Sequence, residues 1–136
     1  MTVLLDTGLV VALYDGADAD HQSAVAWVLD ADEDLITTPV ALAEMDYVVT
    51  KRGGAAGRDA LYNDLERDAY GVRWWATGLR ETLEIARRHP FAGLADASLV
   101  ALAGILRTTR IATFDQNFRS ITTPSGEPFV LLPEDA

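Results

Sequence analysis

The sequence predicts an α/β fold, a three-layer α/β/α sandwich around a mainly parallel sheet. Short apolar runs alternate with helical patterns along the chain, which is typical of this class. The first and last runs, Val3–Leu5 and Phe129–Leu132, are apolar without interruption, as strands buried on both faces of a parallel sheet are. The segment Ala97–Leu106 is apolar nearly all round, so it predicts a helix that is buried on most sides.

The N-terminal half contains two predicted strands and four predicted helices. The strands are Val3–Leu5 and Leu35–Thr38, and the helices are Thr7–Tyr14, His21–Leu29, Val40–Arg52 and about Ala56–Ala69. The acidic turn Asp15–Asp20 separates the first two helices, and Pro39 stops the second strand. Gly53-Gly54 ends the third helix, because glycine readily leaves the helical conformation.

The C-terminal half contains three predicted strands and two predicted helices. The strands are Val72–Trp75, Arg110–Phe114 and Phe129–Leu132, and the helices are Leu79–His89, which Pro90 stops, and Ala97–Leu106. No repeat, low-complexity tract or linker-like stretch interrupts the alternation. Residues 1–136 are therefore expected to form a single domain, and that length is enough to bury a substantial core.

Composition excludes several classes of site and location. The chain has no cysteine, which excludes a disulfide framework, a thiol nucleophile and a cysteine zinc site. It has no basic-then-apolar leader, and no apolar stretch approaches the ~20 residues of a membrane span. We therefore expect a cytoplasmic protein without membrane contact.

Three aspartates are predicted to meet at one edge of the sheet. Asp6 and Asp115 each follow a predicted strand, and the carboxyl ends of parallel strands share the edge where open α/β folds bind ligands. Asp96 comes just before the buried helix, at its N-terminal end. A fourth acid, Glu44, emerges from an apolar helix face, although Asp46 has similar neighbours and periodicity does not separate the two.

Two interpretations of these acids remain open at this point. Aspartate is a preferred N-cap, so Asp6, Asp96 and Asp115 taken singly are better explained as caps. Their joint placement favours another interpretation. Clustered carboxylates repel one another and destabilise a fold unless a cation neutralises them, and Mg²⁺ or Mn²⁺ prefers such oxygen ligands.

Four short motifs carry a resemblance to a known family. LLDTG, TPVALAEMDYV, LADASLVALA and IATFDQNF, in this order, resemble the four acidic motifs of PIN-domain ribonucleases, and most closely those of VapC-type toxins. The resemblance covers essentially the whole chain. Carried over residue by residue, it implies a catalytic, metal-binding cluster of Asp6, Glu44, Asp96 and Asp115, and this is what favours Glu44 over Asp46.

The resemblance also implies a fold, an activity and partners. It implies an α/β/α sandwich, a homodimer, Mg²⁺- or Mn²⁺-dependent cleavage of RNA and inhibition by a small antitoxin protein. Thr7 and Thr113 match hydroxyl residues that are common beside the first and last acids of the family. Gly8 departs from the Ser or Asn that is frequent at the third position.

The charge of the chain sets a condition on RNA binding. The net charge is −10, with 21 acidic against 11 basic residues, whereas nucleic-acid-binding proteins usually carry a basic footprint. RNA would therefore need a local basic rim beside the acids. The candidates for this rim are Lys51, Arg52, Arg58, Arg107, Arg110 and Arg119.

Two other functions fit the predicted fold. A phosphoacceptor signalling domain would have an adjacent acidic pair after the first strand and a lysine near the last, whereas Asp6 is followed by Thr7 and the only lysine is Lys51. A non-catalytic binding protein of the same fold would use the acids only as caps, and the complete set of four acids argues against it.

Overall fold

Five strands form a single sheet in the computed structural model, which describes residues 1–136. The strands are β1 (Thr2–Leu5), β2 (Asp34–Thr37), β3 (Gly71–Val72), β4 (Arg110–Ala112) and β5 (Val130–Leu132). Their order is β3-β2-β1-β4-β5, and every neighbouring pair is parallel, which confirms the predicted sheet. Three strands end earlier than predicted. After β4, for example, Phe114 still packs against the core, so the apolar run is longer than the hydrogen-bonded ladder.

Five helices cover the two faces of this sheet and complete the predicted sandwich. They are α1 (Thr7–Tyr14), α2 (His21–Asp30), α3 (Pro39–Glu66), α4 (Gly78–Arg88) and α5 (Leu94–Leu106), and a short 3₁₀ helix spans Gln116–Ser120. The chain runs outward from β1 to β3 and then returns to β4. Right-handed crossovers therefore place α1 to α3 on one face and α4 and α5 on the other. No helix combines the length and the apolar character that a membrane span requires.

The third and fourth predicted helices join into one bent helix, α3. The bend lies at Gly54, whose backbone has φ +68° and ψ −165°. Glycine adopts this conformation without the steric cost that a side chain would add. The predicted end of the third helix at Gly53-Gly54 is thus confirmed, and the two helical halves meet there at a kink.

Helix α5 begins at Leu94 and not at Ala97 as predicted. The Ala97 N–H donates to the Gly93 carbonyl at 3.0 Å, so residues 94–96 already form the first turn. The apolar pattern misses this turn because the polar Asp96 interrupts it after Leu94 and Ala95, and a polar side chain suits a helix start, where backbone N–H groups lack helical partners. As a result Asp96 lies inside the first turn rather than before the helix.

The buried hydrophobic residues form one continuous cluster of 29. Strand β1 lies at its centre, since Val3, Leu4 and Leu5 are all fully buried. Helix α5 contributes eight buried residues of its thirteen. The end of β1 and the start of α5 are therefore held by dense packing, and both deliver a carboxylate to the same edge of the sheet.

Candidate active site

A cleft of about 440 Å³ opens at the carboxyl edge of the sheet. It lies beside the ends of β1 and β4, where the strand order reverses, which is the usual place for a ligand in an open α/β sheet. Twelve residues line it: Asp6, Thr7, Gly8, Val11, Asp18, Asp20, Glu44, Val48, Arg52, Asp96, Phe114 and Asp115. All four acids of the predicted cluster are among them.

Asp6 lies directly after β1 and is only 4% exposed. It is the N-cap of α1, as the first interpretation predicts, because Oδ1 accepts from the Thr7 N–H at 2.8 Å. Oδ2 accepts from the Thr113 hydroxyl at 2.6 Å. Burial nevertheless outweighs these two bonds and raises the pKa of Asp6 to about 6, and the charges of Asp115 and Glu44 add to the rise.

Asp96 reaches the same place from the first turn of α5. Burial raises its pKa to about 7, and repulsion from Asp6 is the next largest cause. The two carboxyl groups are close enough to share a hydrogen bond, which favours the protonated form of Asp96 further. Two acids that would both be ionised at neutral pH in water are thus held close together, and neither forms an ion pair with a basic side chain.

Asp115 and Glu44 surround this pair from two other elements. The Thr113 hydroxyl accepts from the Asp115 N–H at 2.9 Å while it donates to Asp6, so one threonine links two acids. Asp115 also caps the 3₁₀ helix through the Asn117 N–H at 2.9 Å. Glu44 lines the cleft from α3, and its charge raises the pKa of both Asp6 and Asp96.

Asp46, the alternative to Glu44, lies outside the cleft. Its Oδ1 accepts from the Tyr62 hydroxyl at 2.5 Å and lies 3.5 Å from Arg58 Nε. Both partners belong to the second half of α3, beyond the kink at Gly54. The contact therefore ties the two halves of the bent helix together and uses Asp46 for that purpose.

The residues of the cleft fit a hard divalent cation. The Thr7 Oγ1 atom is buried beside Asp6 and has no hydrogen-bond partner, so a polar ligand or water is needed to satisfy it. No three acidic or histidine side chains stand close enough to enclose an ion by themselves. Mg²⁺ does not require this, because it usually keeps several waters and takes only one or two carboxylates. The Asp6–Asp96 pair would supply those two.

Comparison with known proteins identifies the family. The model of the PIN domain matches residues 3–123. The chain belongs to the PIN-domain family. It is 31% identical to Ribonuclease VapC26 of Mycobacterium tuberculosis, over 96% of this chain and all of that protein. It is also similar to the crystal structure of VapC20 of the same organism, described as a sarcin-ricin loop cleaving toxin. That match has a TM-score of 0.79 and 21% identity, and it covers 87% of this chain and 93% of that one.

These matches confirm the resemblance read from the four motifs. The VapC20 structure supports the fold, and the VapC26 relative supports the VapC-like character of this PIN domain. Neither tests the roles of individual residues, so the catalytic and metal-binding assignment of Asp6, Glu44, Asp96 and Asp115 stays a prediction. At Gly8, a Cβ atom would meet no other atom within 4 Å, so the fold itself does not demand glycine there.

The basic residues of the PIN domain do not form the predicted rim as a group. Arg107 and Arg110 lie at the amino edge of the sheet, beside Met1 and Thr2, and not at the cleft. Arg119 pairs with Asp135 and Glu134. The side chains of Arg58 and Lys51 lie over tyrosine rings elsewhere on α3. Only Arg52 of the six candidates lines the cleft.

Two acids of the cleft were not predicted as site residues. Asp18 and Asp20 belong to the acidic turn between α1 and α2, and both line the cleft. The cluster of aspartates in that turn is visible in the sequence. Whether these aspartates face the cleft depends on the angle between α1 and α2, and no local sequence pattern specifies that angle.

Proposed function

We propose that this PIN domain is a metal-dependent endoribonuclease and the toxin of a VapBC-type toxin–antitoxin pair. The observation that carries the proposal is the buried pair of Asp6 and Asp96 in the cleft, whose pKa values are raised by burial and by the charges of the neighbouring acids. Strongly shifted carboxylates in a cleft are typical of functional sites. A relative that is named a ribonuclease supports the same activity.

Mg²⁺ or Mn²⁺ would be held by Asp6 and Asp96, with Glu44 and Asp115 completing the shell directly or through water. When bound, the ion lowers the pKa of a water molecule and balances the charge that develops on the phosphate. Thr113 and the Thr7 N–H fix the orientation of the Asp6 carboxylate through bonds of 2.6 and 2.8 Å. Glu44 or Asp115 would help to remove the proton of the attacking water.

The proposed partners follow from the same family. They are an RNA substrate, a small cognate antitoxin and a second copy of the chain, with action in the cytoplasm. The exposed apolar side chains of Trp74, Leu79 and Leu83, which are 39%, 59% and 38% exposed, support an interface with another protein. Burying them would remove apolar surface from water.

Cleavage of RNA with and without divalent metal tests the nuclease proposal. We expect Asp6→Asn and Asp96→Asn to lower turnover on the order of 10²-fold or more while the fold is retained, because the ion loses a charged ligand. Asp59→Asn is the matched control, since Asp59 is an exposed acid on α3 outside the cleft. Equal RNA cleavage by folded wild type and both site variants would contradict catalysis and favour a non-catalytic PIN protein.

Expression in a bacterial host tests the toxin role separately. We expect wild type to arrest growth, Asp96→Asn to be harmless, and co-expression of the product of an adjacent small gene to restore growth. Harmless expression of a protein that cleaves RNA in vitro would refute the toxin role and leave the nuclease proposal intact.

A further inference from the structure

The charge of the cleft is uneven. Six acidic side chains line it and only one basic side chain, that of Arg52, is among its residues. Arg52 takes part in none of the five ion pairs of the chain and in none of its side-chain hydrogen bonds, although it lies in a markedly acidic protein. A guanidinium that has no partner within the chain can bind an anion from outside it.

Arg52 does not serve to neutralise the acid cluster. None of the five ion pairs of the chain joins Arg52 to an acid of the cleft. Its charge is therefore left for a group from outside the chain.

The position of Arg52 on α3 sets its distance from the acids. It comes eight residues after Glu44, and Val48 lies midway, so all three residues follow one side of the helix. Eight residues correspond to about 12 Å along the helix axis. Arg52 thus lies further along α3 than Glu44, where its guanidinium can contact a phosphate next to the one held at the acids.

The backbone beneath Arg52 is held tightly. A Cβ atom at Gly53 would lie 2.6 Å from the Tyr14 carbonyl oxygen, and one at Gly57 would lie 2.8 Å from it. Only glycine permits this close approach, which fixes α3 against the end of α1. Because Asp6 is the N-cap of α1, the same contact fixes the backbone of Arg52 relative to the acid cluster.

We propose that Arg52 binds a backbone phosphate of the RNA beside the scissile one and so positions the scissile bond over Asp6 and Asp96. The proposal rests on the proposed ribonuclease function and adds its substrate contact. Arginine suits this role because its planar guanidinium donates two parallel hydrogen bonds to a phosphate. Arg52 is a positioning residue, and its loss affects binding of RNA more than the chemical step.

The test compares Arg52→Gln, Arg52→Lys and the control Arg87→Gln, which removes the same charge from an exposed arginine of α4 outside the cleft. Cleavage of a short single-stranded RNA gives kcat and KM. RNA affinity is measured by fluorescence anisotropy over a range of salt concentrations, with each variant also placed in an Asp96→Asn background so that the RNA stays intact.

We expect Arg52→Gln to raise KM and Kd about 10-fold with kcat within about 2-fold, and Arg52→Lys to recover part of the loss. The slope of log affinity against log salt should fall by about 0.7, the value for one phosphate contact on a single strand. Arg87→Gln should change neither. A merely structural role would not move the salt slope.

The outcomes separate this proposal from the nuclease proposal. If wild type cleaves RNA and Arg52→Gln keeps both its KM and its salt slope, the role of Arg52 is refuted and the nuclease proposal stands. A fall in kcat at constant KM would also refute positioning. If wild type neither cleaves nor binds RNA, both proposals fail. A changed salt slope without cleavage supports the phosphate contact and refutes catalysis.

Discussion

At the amino edge of the sheet, Arg110 donates to both carboxylate oxygens of Glu33, from Nε at 2.8 Å and from Nη2 at 2.6 Å. At the carboxyl edge, Asp6 and Asp96 lie together, and neither forms an ion pair with a basic side chain. Both edges hold partly or fully buried charge. At the amino edge the two charges balance each other, and the ion pair is bidentate, which is the favourable geometry for an arginine and a carboxylate. At the carboxyl edge it is unbalanced, which lowers stability.

This difference separates the edge whose charges hold the fold from the edge at which we propose that the chemistry takes place. Further along the amino edge, the Thr108 hydroxyl donates to the Thr2 carbonyl at 2.7 Å, so polar groups there satisfy one another within the chain. At the carboxyl edge, Thr7 Oγ1 and Arg52 are left without partners. Polar groups that the chain leaves unsatisfied are available to a metal ion, to water and to RNA.

The largest predicted effect is on RNA cleavage. It compares two acids of α3, Glu44, which lines the cleft, and Asp46, which lies outside it. Glu44→Gln should lower kcat for RNA cleavage about 10- to 100-fold, because the cleft loses a carboxylate that binds metal-bound water or accepts its proton. Asp46→Asn, two residues away, should leave kcat within about 2-fold, since Asp46 is used to hold Tyr62. Initial rates at saturating RNA measure both. Similar losses in the two variants would contradict the assignment of Glu44.

That choice illustrates what the sequence could predict and what it could not. Asp6 and Asp115 could be placed from the sequence because each follows a predicted parallel strand. Glu44 and Asp46 could not be separated by periodicity, because both have apolar neighbours one turn away. The family motif favoured Glu44. The structural reason lies in the kink at Gly54, which brings Tyr62 of the second half of α3 back to Asp46.

Among the basic residues, the location of one could have been predicted from the sequence and the location of another could not. Arg110 begins β4, and a residue that begins a parallel strand lies at the amino edge, so its distance from the cleft could have been predicted from the sequence. The location of Arg52 could not, because it depends on how the end of α3 lies against α1. The contact of Gly53 and Gly57 with the Tyr14 carbonyl is a tertiary contact that no local pattern reveals.

A second prediction tests the amino edge. Glu33→Gln should lower the free energy of unfolding by about 1–2 kcal/mol, because it leaves the partly buried Arg110 guanidinium without its counter-charge. RNA cleavage at a temperature well below the transition should not change. Denaturant unfolding and initial rates measure the two quantities.

The exposed pair of Arg67 and Asp64 supplies the control, since Arg67→Gln should cost less than about 0.5 kcal/mol. A loss of activity at unchanged stability would contradict the division between the two edges.

A third prediction concerns the pH dependence of the metal-free protein. The folded-state pKa values of Asp6 and Asp96 lie above their ordinary 3.8, so the unfolded chain binds fewer protons than the folded one near neutral pH. Stability should therefore rise as pH falls from 8 to 5, by up to about 4 kcal/mol, or on the order of 10 °C in Tm. Thermal unfolding in EDTA measures this.

The control for the pH prediction is Asp96→Asn, which should flatten the dependence because one of the two titrating groups is gone. Mg²⁺ should raise Tm more at pH 8 than at pH 5, since a bound cation favours the ionised carboxylates. A metal-free protein that becomes less stable between pH 8 and pH 5 would show that the carboxyl edge carries no unbalanced charge.

The smallest effect should come from the acidic turn at the mouth of the cleft. Asp20 precedes α2, but its side chain makes no capping hydrogen bond, so Asp20→Asn should leave stability nearly unchanged. Removing one negative charge from the cleft should raise RNA affinity about twofold at low salt, and the gain should vanish at high salt because the charge is screened. Anisotropy at two salt concentrations measures it, with Asp59→Asn as the control for the same change of net charge outside the cleft. An equal gain in the control would mean that RNA responds only to the net charge of the chain. A gain confined to Asp20 would mean that RNA occupies the cleft that Asp6, Asp96 and Arg52 line.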